Sequence, residues 1–323
     1  MKNTLQLAFF TMCSLLLLVS CSNSDTDSYP SKSIELIVAF SPGAATDTQA
    51  RIISKYANEY LDQELVIVNK PGGGGQVGWN QFATANPDGY TLAAYNLPHI
   101  ITQPLVNDTS YSLDTFEPIV NWGGDPTVFA VNQDSSIESL DDLIDEARQN
   151  PDGLTIGNAG KYVGQHLAIL LLENAADIDV EDVAFQGSSE AIASMLGGHT
   201  DVLAGNLSDV YRLGDEVKPL AIATEERHSF APDIPTFTEL GYPEVIMSTD
   251  RGIAAREGTP DEIIEKLQEA FSKLLADEDF LDEMEQAGAD MLVMNRQEVL
   301  DEFQSRSELY TELLKSIDVI ENE

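Results

Sequence analysis

The chain has 323 residues, 43% of them hydrophobic, which is enough to bury a sizeable core and to build about two domains. Its 17 lysines and arginines stand against 55 aspartates and glutamates, a formal net charge of −38. The acids are scattered among good apolar patterns, which argues against disorder, and no basic face exists to neutralise phosphates, which excludes a nucleic-acid partner. So acidic a surface suits strong salt: at about 1 M the Debye length is roughly 3 Å, and self-repulsion becomes tolerable. Such a fold should lose stability as salt is diluted. A surface evolved to bind cations is the alternative.

Taken in order, the chain opens with a secretory segment. Residues 1–20 carry Lys2, an apolar stretch over 5–19 and then Leu18-Val19-Ser20-Cys21, which resembles a bacterial lipobox with Cys21 as the lipid-modified first residue. An ordinary cleaved signal with an incidental cysteine is the other reading. No twin-arginine pair precedes the apolar run, which favours the general secretory route. Residues 21–30 read as a polar tether, and no second apolar run of that length follows, so an extracytoplasmic, soluble but anchored protein is expected. The two cysteines, Cys13 and Cys21, both lie in this segment, which excludes a disulfide framework.

The globular part begins with a strand over 34–40, the loop Ser41-Pro42-Gly43-Ala44-Ala45-Thr46-Asp47 and a helical pattern at Ala50, Ile53, Ala57 and Leu61. A strand over 65–68 follows, then Pro71-Gly72-Gly73-Gly74-Gly75-Gln76 and a short helix over 77–85. In an open α/β sheet both loops lie at the carboxyl ends of strands, where ligands bind, and amides at a helix start attract an anion. Each loop alone reads as an ordinary tight turn, and the binding case rests on several of them together. After the turn signal at 87–90 come strands over 91–95 and 126–131, and a helix capped by Ser139 and running to Arg148. A strand over 154–156 leads to the loop over 157–164 and a helix over 166–172. A strand over 180–185 ends at Gln186-Gly187-Ser188, with a helix over 191–196, and a strand over 201–204 runs into Gly205-Asn206-Leu207-Ser208-Asp209. The alternation predicts βαβ units, mostly parallel sheets and a second α/β domain. Thr259-Pro260-Asp261-Glu262 reads as a capping box with proline at the first helical position. Ile263, Leu267, Ala270, Phe271 and Leu274 then share one face of an amphipathic helix, and a last helix covers 297–314.

Catalytic constellations are not found. Neither glycine loop has the Gly-Lys-Ser/Thr of a phosphate-binding loop or the dinucleotide fingerprint. His99, His166, His199 and His228 are spaced without a ligand pattern, so no metal is expected, and there is no Gly-x-Ser-x-Gly elbow. With 55 acids, carboxylate pairs occur at any spacing by chance. His166, inside an apolar helix, reads as a packed or loop-bracing residue. No cofactor and no enzymatic activity are expected. What remains is binding: loops of Gly, Ser, Thr and Asn at several strand ends can hold a carboxylate, each charge-assisted hydrogen bond contributing about 1.5–3 kcal/mol.

An ordered set of segments resembles the substrate-binding proteins of tripartite tricarboxylate transporters, often called the Bug family. It runs from Ile37-Val38-Ala39-Phe40-Ser41-Pro42-Gly43 and Thr46-Asp47 through Val68-Asn69-Lys70-Pro71-Gly72-Gly73-Gly74-Gly75 to Pro87-Asp88-Gly89-Tyr90. Thr115-Phe116-Glu117-Pro118, Phe185-Gln186-Gly187-Ser188, Leu196-Gly197-Gly198-His199-Thr200-Asp201, Pro232-Asp233-Ile234-Pro235 and Arg251-Gly252 continue it. The resemblance implies a periplasmic-binding-protein-like (type II) fold: two α/β domains joined by two crossover segments, with a ligand cleft between them. Domain 1 would comprise 31–127 and 250–323, domain 2 would comprise 128–249, and the crossings would fall near 127–132 and 245–251. A small carboxylate, di- or tricarboxylate, would be captured there and delivered to a membrane permease of a large and a small subunit. The same fold also serves sensing, presenting a bound carboxylate to a membrane kinase. Carried onto this chain, the binding residues would be Ser41, Ala45, Thr46, Asp47, Gly75 and Gln76 from domain 1. Domain 2 would supply Gly160, Lys161, Tyr162, Gln186, Gly187, Ser188, Asn206 and Asp209. Gly160-Lys161-Tyr162 departs from the small Gly-Ser pair usual in the family. Lys161 either meets a ligand carboxylate or points to solvent.

Overall fold

The computed structural model describes residues 29–151 and 153–321; the expected secretory segment and Cys21 lie outside the described residues. In chain order the strands are β1 (Ile34–Val38), β2 (Leu65–Asn69), β3 (Thr91–Leu97), β4 (Phe116–Gly124), β5 (Thr127–Asn132), β6 (Thr155–Asn158), β7 (Glu181–Ala184), β8 (Val202–Asn206), β9 (Val217–Ile222), β10 (Asp250–Arg256) and β11 (Asp290–Asn295). The helices that matter for the site are α1 (Ala45–Leu61), α2 (Gln76–Ala83), α3 (His99–Val106), α4 (Leu140–Gln149), α5 (Gly164–Ala176), α6 (Ser188–Leu196) and α7 (Leu207–Leu213). Three more close the chain: α8 (Asp261–Leu274), α9 (Glu278–Gln286) and α10 (Arg296–Ser316).

The strands form two sheets, one ordered β11-β4-β10-β3-β1-β2 and the other β7-β6-β8-β5-β9. The βα pattern read from sequence gives the parallel pairs β1–β2, β1–β3, β6–β7 and β6–β8. The expectation of mostly parallel sheets is corrected at the other pairings. β10 runs antiparallel to β3 and β4, β11 antiparallel to β4, and β5 antiparallel to β8 and β9. β5 and β10 are entered by passage from the other sheet rather than by a crossover helix, so the geometry that makes βαβ strands parallel does not act on them.

The passages themselves lie side by side. Residues 127–132 are β5 of the second sheet, and the chain leaves the first sheet at Asp125 and Pro126. It returns through residues 245–249. Thr127 N–H donates to Met247 O and Thr249 N–H to Asp125 O, both at 2.9 Å, with Pro126 bridging Ser248 antiparallel. Two short paired segments are a suitable hinge, since a change in a few dihedrals moves each sheet and its helices as a body.

Local signals held where their chemistry was complete. On α1 the apolar face Ala50, Ile53, Ala57 and Leu61 is buried, and Asp62 closes the helix in the left-handed region at φ 54°. Ser139 Oγ accepts from Asp142 N–H at 3.2 Å and caps α4. The capping box at Thr259 does not form. Thr259 Oγ1 donates to Arg256 O at 2.7 Å, closing a turn through Gly258 at φ 85°, and Pro260 stands at the N-cap instead of the first helical position.

Candidate functional site

At the hinge end of the cleft, both lobes face one cavity. Ala45 and Thr46 at the start of α1 line it, with Asn96 and His99 from the end of β3 and the start of α3. The opposite wall has Gln165 near the start of α5, Ser188 opening α6 and Asn206 at the end of β8. Thr249 and Arg251, from the returning passage and β10, form the floor. The space measures about 10 Å³, roughly one water, so the lobes meet closely over it.

Residues at the starts of four helices, α1, α3, α5 and α6, therefore border the same cavity. Each helix start presents amides without intrahelical partners and roughly half a positive charge. Arg251, 1% exposed, adds a guanidinium whose charge Asp125 balances. Its Nη1 donates to Asp125 Oδ2 at 2.7 Å and its Nε to Thr46 Oγ1 at 3.1 Å, which uses two of the five guanidinium N–H groups. Asp125 also accepts from Ser208 N–H at 3.0 Å and from Ser208 Oγ, so this pair ties the hinge to both lobes. Burial pushes the Asp125 carboxyl above its ordinary value, although Arg251 and Ser208 pull it down.

Four buried polar atoms in the wall have no hydrogen-bond partner among the described residues: Asn96 Oδ1, His99 Nδ1, Gln165 Oε1 and Thr249 Oγ1. Buried polar groups in native proteins are paired, with protein, water or ligand, and an unpaired one costs about 1–3 kcal/mol. Four around one cavity call for a hydrogen-bonding occupant there, a water or a polar ligand. The described residues contain no group of three or more His, Cys, Asp or Glu placed to hold a metal.

Burial, and then the charge of Arg251, lower the His99 pKa to about 3, which keeps its imidazole neutral. In the unfolded chain His99 takes a proton near 6.5, so the folded state binds fewer protons between those values. Stability is thus lost as pH falls from about 6.5 toward 3, by up to about 1.4 kcal/mol per pH unit from this group. Denaturant unfolding across pH 6.5–4 should show a shallower acid limb in His99→Gln than in the wild type. Equal slopes would contradict the assignment.

A model described as the tripartite tricarboxylate transporter family receptor matches residues 49–319. The chain belongs to that family. Among solved structures, the periplasmic binding protein BugD is 27% identical, with a TM-score of 0.85 over 91% of this chain and 100% of its own. MatC from Rhodopseudomonas palustris with bound malate is 26% identical, TM-score 0.83, over 88% of this chain and 100% of its own. An R. palustris protein with adipate is 25% identical, TM-score 0.84, over 90% of this chain and 98% of its own. The architecture is that of the periplasmic binding proteins.

Within this receptor frame, Ala45, Thr46, Ser188 and Asn206 are the sequence-derived candidates that the structure brings together around the cavity. The others stand around them. Asp47 accepts from Gly43 N–H, Arg51 and Asn69, bracing its loop. Ser41 Oγ spans the cleft to Glu190 Oε1 at 2.7 Å, and Gln186 N–H donates to Glu190 Oε2 at 2.9 Å. Gly187 lies against Ser41 N, where an added Cβ would sit 3.1 Å away. Gly75 packs on the Trp79 ring, and Gln76 donates to Gln103 Oε1 at 2.6 Å. Gly160 abuts Gly74 across the cleft, a Cβ on it meeting Gly74 Cα at 2.9 Å. Lys161 pairs with Asp182 and is half-exposed. Tyr162 N–H donates to His166 Nδ1 at 3.0 Å, so His166 braces that loop as expected. Asp209 sits behind Asn206, whose Nδ2 it accepts at 3.0 Å.

Sequence reasoning missed Asn96, His99, Gln165, Thr249 and Arg251. Signals for three of these existed. Asn96 and His99 follow the predicted strand over 91–95, and the strand-end rule applied to the first two loops covers them too. Arg251 heads the apolar run Gly252-Ile253-Ala254-Ala255, and a lone cation on a buried strand needs a partner.

Proposed function

We propose that this chain is an extracytoplasmic solute receptor that closes its two lobes on a small organic anion. The anion is a di- or tricarboxylate or a related carboxylate, handed on to a membrane permease of a large and a small subunit. The gathering of four helix starts and the buried Arg251 guanidinium around one cavity carries this reading. Neutral amide donors and one internally balanced cation suit an anion in a chain of net charge −38, because contacts at hydrogen-bond range outweigh a screened surface field. The malate bound in MatC and the adipate in the second R. palustris protein support a carboxylate as the ligand. The binding chemistry falls to Thr46, Ser188, Asn206 and Arg251, with Ser41, Gln186 and Gly187 joining the lobes around them. Cys21, lipid-modified, anchors the receptor outside the cytoplasm, and the acidic surface fits it for strong salt.

Capture requires the lobes to part at the 125–126 and 245–249 hinge and to close again on the ligand. Contacts that would break and reform include Ser41 with Glu190, Gln103 Nε2 with Lys161 O at 2.6 Å, and His228 Nε2 with Asp290 Oδ2 at 2.9 Å. Calorimetric titration of the purified chain in molar salt with mono-, di- and tricarboxylates should find at least one that binds one-to-one and raises the melting temperature. Failure of every organic acid to do either would contradict the reading.

A further inference from the structure

The Gln165 side chain has a fixed sense. Its Nε2 donates to Asn206 Oδ1, and Asn206 Nδ2 donates to Asp209 Oδ2 at 3.0 Å. Asp209 is itself paired with the Arg212 guanidinium. A carboxylate in such a pair only accepts, so Asn206 must turn its NH2 toward Asp209 and its oxygen toward Gln165. Gln165 must in turn give its NH2 to Asn206, and reversing either amide would set like groups face to face. The remaining atom, Gln165 Oε1, is buried without a partner among the described residues, on a side chain whose residue lines the cavity. Gln165, Asn206 and Asp209 are only 2%, 3% and 1% exposed, so bulk solvent does not reach this relay.

A fixed acceptor in a cavity that otherwise attracts anions discriminates among ligands. A carboxylate oxygen placed there would set lone pair against lone pair, whereas an O–H supplies the missing donor. An ammonium would also donate, but the helix starts around the cavity, with the Arg251 guanidinium, oppose a cation. Resting on the carboxylate-receptor reading above, we propose that this receptor selects carboxylates that carry a hydroxyl group. Gln165, oriented through Asn206 by Asp209, is the residue that reads that hydroxyl.

The test uses the full chain in molar salt and calorimetry with matched acids: L- and D-malate against succinate, and citrate against tricarballylate, with L-aspartate as the ammonium counterpart of malate. A site that pairs a ligand hydroxyl penalises the analogue lacking it, so in at least one pair the hydroxy acid should bind about tenfold tighter or more. Aspartate should bind more weakly than malate. In Gln165→Met, which keeps the length and removes the amide, the paired acids should come within about twofold of each other. Asn206→Leu frees the amide to turn and should do the same with Gln165 present. Whichever variant keeps its circular dichroism and melting temperature is the one read. Equal binding within both pairs by the wild type overturns the inference alone, as does a hydroxyl preference that survives in the folded variant, or aspartate binding tighter than malate. No binding of any acid overturns the carboxylate reading and this inference with it.

Discussion

Replacing Arg251 with methionine should destabilise the fold by about 3–5 kcal/mol, because it leaves the Asp125 carboxylate buried without its partner. Carboxylate affinity should fall at least about 30-fold, the loss expected when about 2 kcal/mol or more of charge-assisted bonding goes. The two effects separate in the double variant Asp125→Asn/Arg251→Met. Removing both charges relieves the unpaired carboxylate, so chemical denaturation should show most of the stability restored. Calorimetry should show binding still lost, because the guanidinium that faces the ligand is absent. Recovery of both stability and affinity would reduce Arg251 to a purely structural partner of Asp125.

Gly252→Ala should cost about 3 kcal/mol or more. A Cβ at Gly252 would lie 2.1 Å from Cζ and Oη of Tyr95, far inside contact distance, and Tyr95 is fully buried. The phenol cannot swing aside: its hydroxyl donates to Asn121 Oδ1 at 3.0 Å, and its ring packs edge-on against Phe303 at 5.3 Å between centroids. Overpacking a dense core typically costs 1–3 kcal/mol, and displacing a bonded ring adds its lost hydrogen bond. Truncating the ring should therefore rescue the alanine. Urea unfolding of Gly252→Ala, Tyr95→Leu and the double variant should show the pair less destabilised than the sum of the singles by about 1 kcal/mol or more. Simple additivity would mean that the two positions do not compete for space. The clash explains why a glycine follows Arg251, where β10 pairs with β3 opposite Tyr95.

The parts of this fold legible in sequence are those set by neighbours in the chain. The strand–loop–helix units at Ser41–Asp47 and Gln186–Ser188 could be read because strand pattern, glycine and helix face lie within about twenty residues. The same reading put the helix start of Ala45 and Thr46 and that of Ser188 beside a ligand, and both line the cavity. Sequence could not show what approaches a glycine-rich turn. Gly72 to Gly75 all have positive φ, as the composition suggests, but Gly74 meets the Gly160 loop and Gly75 meets Trp79 instead of lining the cavity. Lys161 was ambiguous for the same reason, its partner Asp182 lying 21 positions away on β7. Arg251 finds Asp125 across 126 positions and Thr46 across 205. No local pattern encodes such pairings. The antiparallel entry of β5 and β10 was hidden likewise, because it follows from the passage between lobes.

The most direct test of the central claim, that a carboxylate is gripped where the helix starts meet Arg251, is a crystal structure of the chain grown with L-malate. It should show a malate carboxylate oxygen within hydrogen-bond reach, about 3.2 Å or less, of the Arg251 guanidinium and of the amides that open α1 or α6. Malate absent from the cavity at saturating concentration, or resting instead against Lys161 at the exposed rim, would contradict the account.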